Sequence, residues 1–415
     1  MFKPLHVACI LLVVFFNSSF SFAQEEQHED ALIVNNTLTL HDLVEKALPN
    51  YPNSTLLAAK KLALEAHQIQ ANSLLPGSAS IILRNQNDQL LSRNNETEWE
   101  AGLEFPIWLS GQRKAREAIA NMASQNLSAD AQYLRLQLSG MVRDALWDIQ
   151  LMQGLVTIAN AKHEAASQLQ RDIEKRVSLG DMAHKDLLIA QTERLQAESE
   201  LINADAEVQH AKFRYKNLTG LSIMPAEFAE IKSAKINVQE AHPALIDANS
   251  KLNLSAEQRN LVRIENRDNP TVTIGTRSLR GASDTAYNNS LGITLRIPLQ
   301  SATRNAPLQA AAEMQYAENQ AHLSQLKLLL AAAMHEAEHN LEVGSAQIDV
   351  LTKQHNIAQQ SLSVTRKAFQ LGELDLSDLI RIQTQAFNAE RSLKNQQIQQ
   401  LWNTARYNQA VGELP

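Results

Sequence analysis

A chain of 415 residues with only 13 glycines, 11 prolines and 5% aromatics is too poor in turn formers for a string of ordinary globular domains; its wealth of Ala, Leu, Gln, Glu and Asn is that of long helices. A formal net charge of -7, with no Lys/Arg block to follow a phosphate backbone, excludes nucleic-acid binding.

Residues 1–23 read as a secretory signal peptide: a lone Lys3, an apolar run over 7–16, and the small-x-small site Ser21-Phe22-Ala23. That run is too short to anchor the chain across ~30 Å of hydrocarbon, and no later stretch reaches the roughly 18 consecutive apolar residues of a spanning helix. Any membrane crossing must then use strands. Cys9, the one cysteine, lies inside this leader, ahead of most of its apolar core. The mature chain is therefore expected to carry no disulfide, thiolate metal site or lipid anchor.

The remainder divides into two repeats. Leu179-Gly180-Asp181-Met182 aligns with Leu371-Gly372-Glu373-Leu374 at an offset of 192 (179 to 371). The same offset pairs Asp186 with Asp378, Leu187 with Leu379, Gln191 with Gln383, Pro106 with Pro298, Tyr215 with Tyr407 and Gly220 with Gly412. Residues 24–220 form the first repeat, 221–241 a linker and 242–415 the second repeat.

After an opening helix, each repeat is expected to hold a strand hairpin, within 78–108 and 271–300. In the first, Trp99, Ala101, Leu103 and Phe105 alternate with Glu98, Glu100 and Glu104. In the second, Leu291, Ile293, Leu295, Ile297 and Leu299 oppose Ser290, Gly292, Thr294 and Arg296. Their partners are 78–85 and 271–281, each just after a proline. Strands of ~9–11 residues with one apolar face have the length and pattern of an outer-membrane barrel. Four cannot close into a barrel, and open edges are not tolerated in hydrocarbon, so closure needs several copies of the chain. A soluble sheet with one wet face shares the local pattern, but not the leader, the duplication or the helices that follow.

Those helices form a long hairpin in each repeat, over 112–220 and 302–412. Gly180 and Gly372 mark the turns, and Asp186 and Asp378 are suited to cap the returning arms. The ascending arm over 112–178 is ~100 Å long if unbroken. The first returning arm carries a heptad seam, Ala190, Ala197, Ala204, Ala211 and Leu218; the second keeps it partly, at Ile382, Ala386, Ala389 and Leu393.

This layout resembles the TolC-type outer-membrane efflux proteins. The resemblance rests on Phe105-Pro106 leading into Gly111-Gln112-Arg113-Lys114-Ala115-Arg116, the Leu-Gly turns, Asp186-Leu187-Leu188, and the closing Leu218-Thr219-Gly220. Leu109-Ser110-Gly111-Gln112-Arg113-Lys114 is most similar to the heavy-metal, CzcC-like branch. The resemblance implies a mainly α chain of long antiparallel helical hairpins forming an α-barrel, with four strands contributed to a transmembrane β-barrel that trimerisation completes. It also implies a homotrimer in outer-membrane lipid, with a periplasmic adaptor (membrane-fusion) protein and an inner-membrane RND-type transporter as partners, and no cofactor. The adaptor-contacting tips correspond to Arg176, Leu179, Gly180 and Asp181, and to Leu371, Gly372 and Glu373, with Ala368 where the second tip would carry its arginine.

Copies of Asp181, Asp186, Glu373, Asp375 and Asp378 are candidates for an acidic gate, Asp186 and Asp378 having helix capping as the alternative role. Glu98, Glu100, Glu104 and Arg296 are assigned to the barrel lumen, where the acids suit cations or simply keep the lumen wet. His335-Glu336-Ala337-Glu338-His339 matches HExxH, which would make His335 and His339 zinc ligands of a metalloprotease. The equivalent stretch of the first repeat is Arg143-Asp144-Ala145-Leu146-Trp147, so the motif interrupts a structural repeat; no catalytic residue is assigned. A purely adhesive periplasmic coiled coil would share the helices without requiring the strands. Metal cations are the favoured cargo, with drugs or a secreted polypeptide as alternatives.

Overall fold

With so few glycines and prolines to interrupt it, the backbone runs into helices of 67 and 69 residues. The computed structural model describes residues 31–90, 94–238 and 240–415; the expected leader and Cys9 lie outside the described residues. In chain order the elements are β1 (Ile33–Asn35), α1 (Leu40–Ala47), a 3-10 turn (Leu48–Asn50), α2 (Ser54–Asn72), β2 (Ser80–Asn87), β3 (Thr97–Pro106), α3 (Gln112–Ser178), α4 (His184–Thr219), β4 (Ile223–Pro225), α5 (Pro243–Ile264), β5 (Thr271–Arg280), β6 (Asn288–Arg296), α6 (Ala302–Gln370) and α7 (Leu376–Ala410).

Helix α3 packs against α4 on one side and α7 on the other, and α7 packs against α6, so α4 and α6 lie at the two ends of the row. Small residues let the arms approach: Ala190, Ala197 and Ala211 on α4 are buried. The α7 seam is fuller than the sequence suggests, because Leu376 and Leu379 join Ala386 and Ala389 in it. Pro307 falls in the second turn of α6 and forfeits a single backbone bond there.

Both hairpin turns are built alike. Gly180 (φ +83°) and Gly372 (φ +80°) take the left-handed conformation. The N–H of Asp181 then donates to Arg176 O at 2.8 Å and that of Glu373 to Ala368 O at 2.9 Å, which satisfies the last carbonyls of each arm. This tight return restarts the helix sooner than expected, which corrects two assignments. Asp186 lies in the first turn of α4 behind the cap Ala183, and the cap of α7 is Asp375, whose carboxylate accepts the Asp378 N–H at 2.8 Å. Asp186 and Asp378 therefore face the positive end of a helix without capping it.

Glycine also closes each repeat, at Gly220 and Gly412. A Cβ at Gly412 (φ +74°) would stand 2.6 Å from His242 Cδ2, whereas one at Gly180 meets nothing within 4 Å. Each Gly→Ala change costs about 1–2 kcal/mol for the backbone conformation alone. Gly412→Ala is expected to exceed Gly180→Ala by the added clash, read as the larger fall in denaturant midpoint.

The short elements at the start of the chain complete the first repeat. Thr39 Oγ1 accepts the Asp42 N–H at 3.1 Å, capping α1. Leu40, Leu43 and Val44 then pack on Leu138, Val142 and Leu146 of α3 and Tyr215 of α4. β1 pairs in parallel with β4, so the segment between the repeats opens with a strand. The rest of that segment is strapped down. Tyr215 and Tyr407 are fully buried, and each donates its hydroxyl at 2.6 Å to a carbonyl of the strap, Ile223 and Lys235 respectively. Burial pushes both hydroxyls above their ordinary pKa.

Where α2, α3 and α5 meet, Asp130 and Asp247 are buried between Lys60 and Lys251. Lys251 Nζ reaches Asp247 at 2.6 Å. Burial nevertheless pushes the Asp247 carboxyl from 3.8 up to about 6. Burial is also the largest single influence on Asp130, but the hydrogen bonds from Lys60 and Asp247 and the charges of Lys251 and Lys60 together outweigh it and hold the carboxyl below its ordinary value. Asp247 binds its proton more tightly folded than unfolded. Its contribution to stability is thus full below 3.8 and is lost as pH rises to about 6; Asp130 acts in the opposite sense, at lower pH. Asp247→Asn is expected to remove the decline between 3.8 and about 6, and denaturant midpoints measured across that range check it.

The larger sheet is antiparallel, in the order β2-β3-β5-β6, with the two hairpins joined through β3 and β5. Two strand boundaries differ from expectation. β2 runs over Ser80–Asn87, two residues later than expected, because Asn87 still pairs with Thr97. β6 ends at Arg296, leaving Ile297 and Leu299 exposed beyond the strand, next to Pro298 with no N–H to donate.

Candidate channel wall and helical tips

Register places the side chains of this sheet in cross-strand rows, since directly paired residues share a face. Ile81, Leu103, Ile274 and Ile293 form one row; Leu83, Ala101, Thr276 and Leu291 form another. All four residues of the first row are exposed, Ile274 by 46% and Ile81 by 73%. A band of isoleucine and leucine facing outward is what a sheet presents to lipid rather than to water.

The opposite face carries charge. Glu98 takes a two-pronged grip from Arg277, at 2.7 and 2.9 Å. Glu100 meets Arg84 at 3.5 Å; Glu104 accepts from Thr271 and Thr273 at 3.3 Å and lies 3.9 Å from Arg296. The acidic lining expected from the sequence is thus a charge-paired one, because β2, β5 and β6 bring Arg84, Arg277 and Arg296 within reach of the glutamates. Gly102, Gly275 and Gly292 continue one row from Ile82 across this face and leave three of the four strands without a side chain there.

The strands connect to the helices through the Gly111-Gln112 motif, whose role the sequence alone does not reveal. Gln112 is 1% exposed; its amide donates to Glu265 at 2.7 Å and accepts from the Leu109 N–H at 3.0 Å and Asn269 Nδ2 at 2.6 Å. Arg116 binds the same Glu265 at 2.8 Å. The β3–α3 junction is thereby locked to the α5–β5 junction, fixing how the sheet sits on the helices.

At the far ends of the helices the two turns come together. Leu179 and Leu371 are exposed by 67% and 76%, with Gly180, Asp181, Gly372 and Glu373 exposed beside them. Arg176 is partly committed, its guanidinium lying 5.3 Å over the Phe369 ring of the other hairpin. Ile173, Leu362, Phe369 and Leu376 pack beneath. Of the acids assigned to a gate, Asp375 is occupied as a cap and Asp378 holds Arg381 at 2.8 Å.

His335 and His339 lie exposed on one face of α6, their rings parallel and 6.5 Å apart. No group of three or more His, Cys, Asp or Glu among the described residues is arranged to hold a metal ion. No helix among them is long and apolar enough to cross a membrane.

Residues 77–221 match the outer membrane efflux protein family. The chain is 25% identical over 303 residues to the cobalt-zinc-cadmium resistance protein CzcC of Cupriavidus metallidurans, covering 70% of this chain and 71% of that protein. It is 21% identical to the outer membrane protein TolC of Vibrio cholerae, covering 90% and 91%. The crystal structure of VceC from Vibrio cholerae superposes with a TM-score of 0.72 at 17% identity, covering 90% of this chain and 96% of that one.

The chain is similar to outer membrane efflux proteins in sequence over residues 77–221 and in fold over nine tenths of its length. This likeness, with Arg143-Asp144-Ala145-Leu146-Trp147 at the matching place of the first repeat, speaks against the metalloprotease reading of His335 and His339. TolC and VceC of Vibrio cholerae are outer membrane proteins.

Proposed function

We propose that three copies of this efflux protein close head to tail into one passive exit duct. The observation that carries this reading is that every lateral boundary of the chain is unfinished. β2 and β6 are free edges of the sheet, and an unpaired edge is untenable in hydrocarbon. Both ends of the helix row expose heptad stripes: Leu188, Leu195 and Ile202 on α4, and Val343, Val350, Ile357 and Val364 on α6, continued by Leu371 at its C-cap. Such stripes suit coiled-coil packing, and two different surfaces meeting head to tail generate a ring. Three four-stranded sheets supply twelve strands, with the charge-paired face as the lumen.

The exposed tips, Leu179-Gly180-Asp181 and Leu371-Gly372-Glu373, are the surface offered to a periplasmic adaptor that connects to an RND-type transporter, with Arg176 contributing from its place on Phe369. Asp181, Asp186 and Glu373 would ring the mouth in acid. Heavy-metal cations are the favoured cargo, supported by the likeness to a cobalt-zinc-cadmium resistance protein. Purified protein is expected to give trimer-sized particles and discrete conductance steps in planar bilayers; a monomer without conductance overturns the duct. A deletion strain sensitised to cobalt, zinc and cadmium supports the metal reading, and one sensitised only to dyes and detergents replaces it with a drug duct.

A further inference from the structure

The junction between the two repeats inside one chain is a template for the junction between chains. At its polar centre Asp144 of α3 accepts two donors from α7, Trp402 Nε1–H at 2.6 Å and Arg406 Nε–H at 3.3 Å. The Arg406 guanidinium lies 4.2 Å over the Trp402 ring. Moved by the repeat offset of 192 (179 to 371), Asp144 becomes Glu336, Trp402 becomes His210 and Arg406 becomes Arg214. The chemistry survives the move: a carboxylate on the long arm faces a ring N–H and an arginine on the returning arm.

Within one chain this second set is far from assembled, because Glu336 lies on α6 and the other two on α4, at opposite ends of the helix row. Glu336, His210 and Arg214 are all exposed. His210 meets Glu207 of its own helix, at 3.5 Å, and Arg214 rests on Asp148 at 2.6 Å. The apolar neighbours carry over as well: Leu151 and Ile158 of α3 correspond to Val343 and Val350 of the exposed α6 stripe. Between the same two helices, a Cβ on Gly154 would stand 3.0 Å from Ile398 Cδ1. Their counterparts are Ala346 and Ala206, small on both sides.

We propose that Glu336 binds His210 and Arg214 of the partner subunit, reproducing the Asp144–Trp402–Arg406 cluster across each junction of the ring. This rests on the head-to-tail reading above and adds the residues that set its register. It also gives the HExxH-like stretch a purpose: its glutamate is an assembly contact, and its histidines flank that contact.

Two experiments on the full-length protein in detergent test the seam, with native mass measured alongside. In the first, Ala206→Cys and Ala346→Cys are introduced singly and together, and mild oxidation is followed by non-reducing electrophoresis. The double variant is expected to convert mainly to interchain-linked species, and either single variant to stay at background. In the second, Glu336→Ala and His210→Ala are combined, and the denaturant midpoint for trimer dissociation is recorded. Each is expected to lower it, and the double variant to fall no further than the worse single one. A trimer that forms no interchain link and shows additive losses overturns the seam while leaving the duct intact. A monomeric mass overturns both.

Discussion

Arg143→Ala is expected to lower the free energy of unfolding by about 3–5 kcal/mol, the cost of breaking a buried ion pair from one side. Arg143 is 2% exposed on α3, and its guanidinium is spent on three separate parts of the chain. Nε and Nη2 grip the Glu230 carboxylate of the strap at 2.8 and 2.6 Å; Nη1 donates to Gln409 of α7 at 2.7 Å; Nη2 also reaches the Glu413 carbonyl at 3.1 Å. Truncation leaves Glu230 without its partner and lets the strap, α7 and the C-terminal residues part from α3. Arg143→Lys keeps the charge but not the planar fork, so an intermediate loss is expected. The double variant Arg143→Met with Glu230→Met is expected to lose less than Arg143→Ala, since no lone charge remains. Denaturant unfolding followed by circular dichroism measures all three, and an unchanged midpoint in Arg143→Ala would show that the strap does not depend on this anchor.

Ile274→Arg is expected to be the most damaging single change in the sheet, costing about 2–4 kcal/mol if its row lies near the bilayer midplane. Ile274 stands in the continuous row Ile81, Leu103, Ile274 and Ile293, and no acid occupies any position of that row. An arginine there meets hydrocarbon on one side and apolar neighbours on both others. Thr294→Arg places the same side chain on β6 on the opposite face, in the row of Glu104 and Thr273, where water and a carboxylate receive it. It is expected to fold within about 1 kcal/mol of the parent. Urea unfolding from phospholipid vesicles, together with the fraction of chain recovered in sedimented envelopes, separates the two; equal losses would mean that the sheet does not divide into a lipid face and a wet face.

These two sites differ in how far the sequence alone discloses them. The row containing Ile274 follows from alternation, because a period of two is legible wherever one face is apolar. Nothing near Arg143 announces its role. Its partners lie 87 and 266 residues away at Glu230 and Gln409, and the equivalent place in the second repeat is His335, which is exposed. The tips show the same division. Leu179-Gly180 and Leu371-Gly372 are readable as turns because a left-handed glycine has a local signature, whereas the seat of Arg176 on Phe369 depends on how two hairpins lie side by side. The capping assignments failed for a related reason: counting from the glycine does not reveal how few residues the return consumes, and Asp375 took the role expected of Asp378.

The amino-acid sequence by itself determined the long helical hairpins and the four amphipathic strands, because each rests on a periodicity that residues close in the chain display; the likeness to outer membrane efflux proteins was carried by short motifs such as Gly111-Gln112 and the Leu-Gly turns. The tertiary structure alone decided that the glutamates of the polar face are held by Arg84, Arg277 and Arg296, that Gln112 locks the sheet to the helices, and that α4 and α6 end the helix row. Each of these depends on register and packing between segments far apart in the chain, and the free energy that selects a register is shared over whole interfaces rather than written in any one stretch.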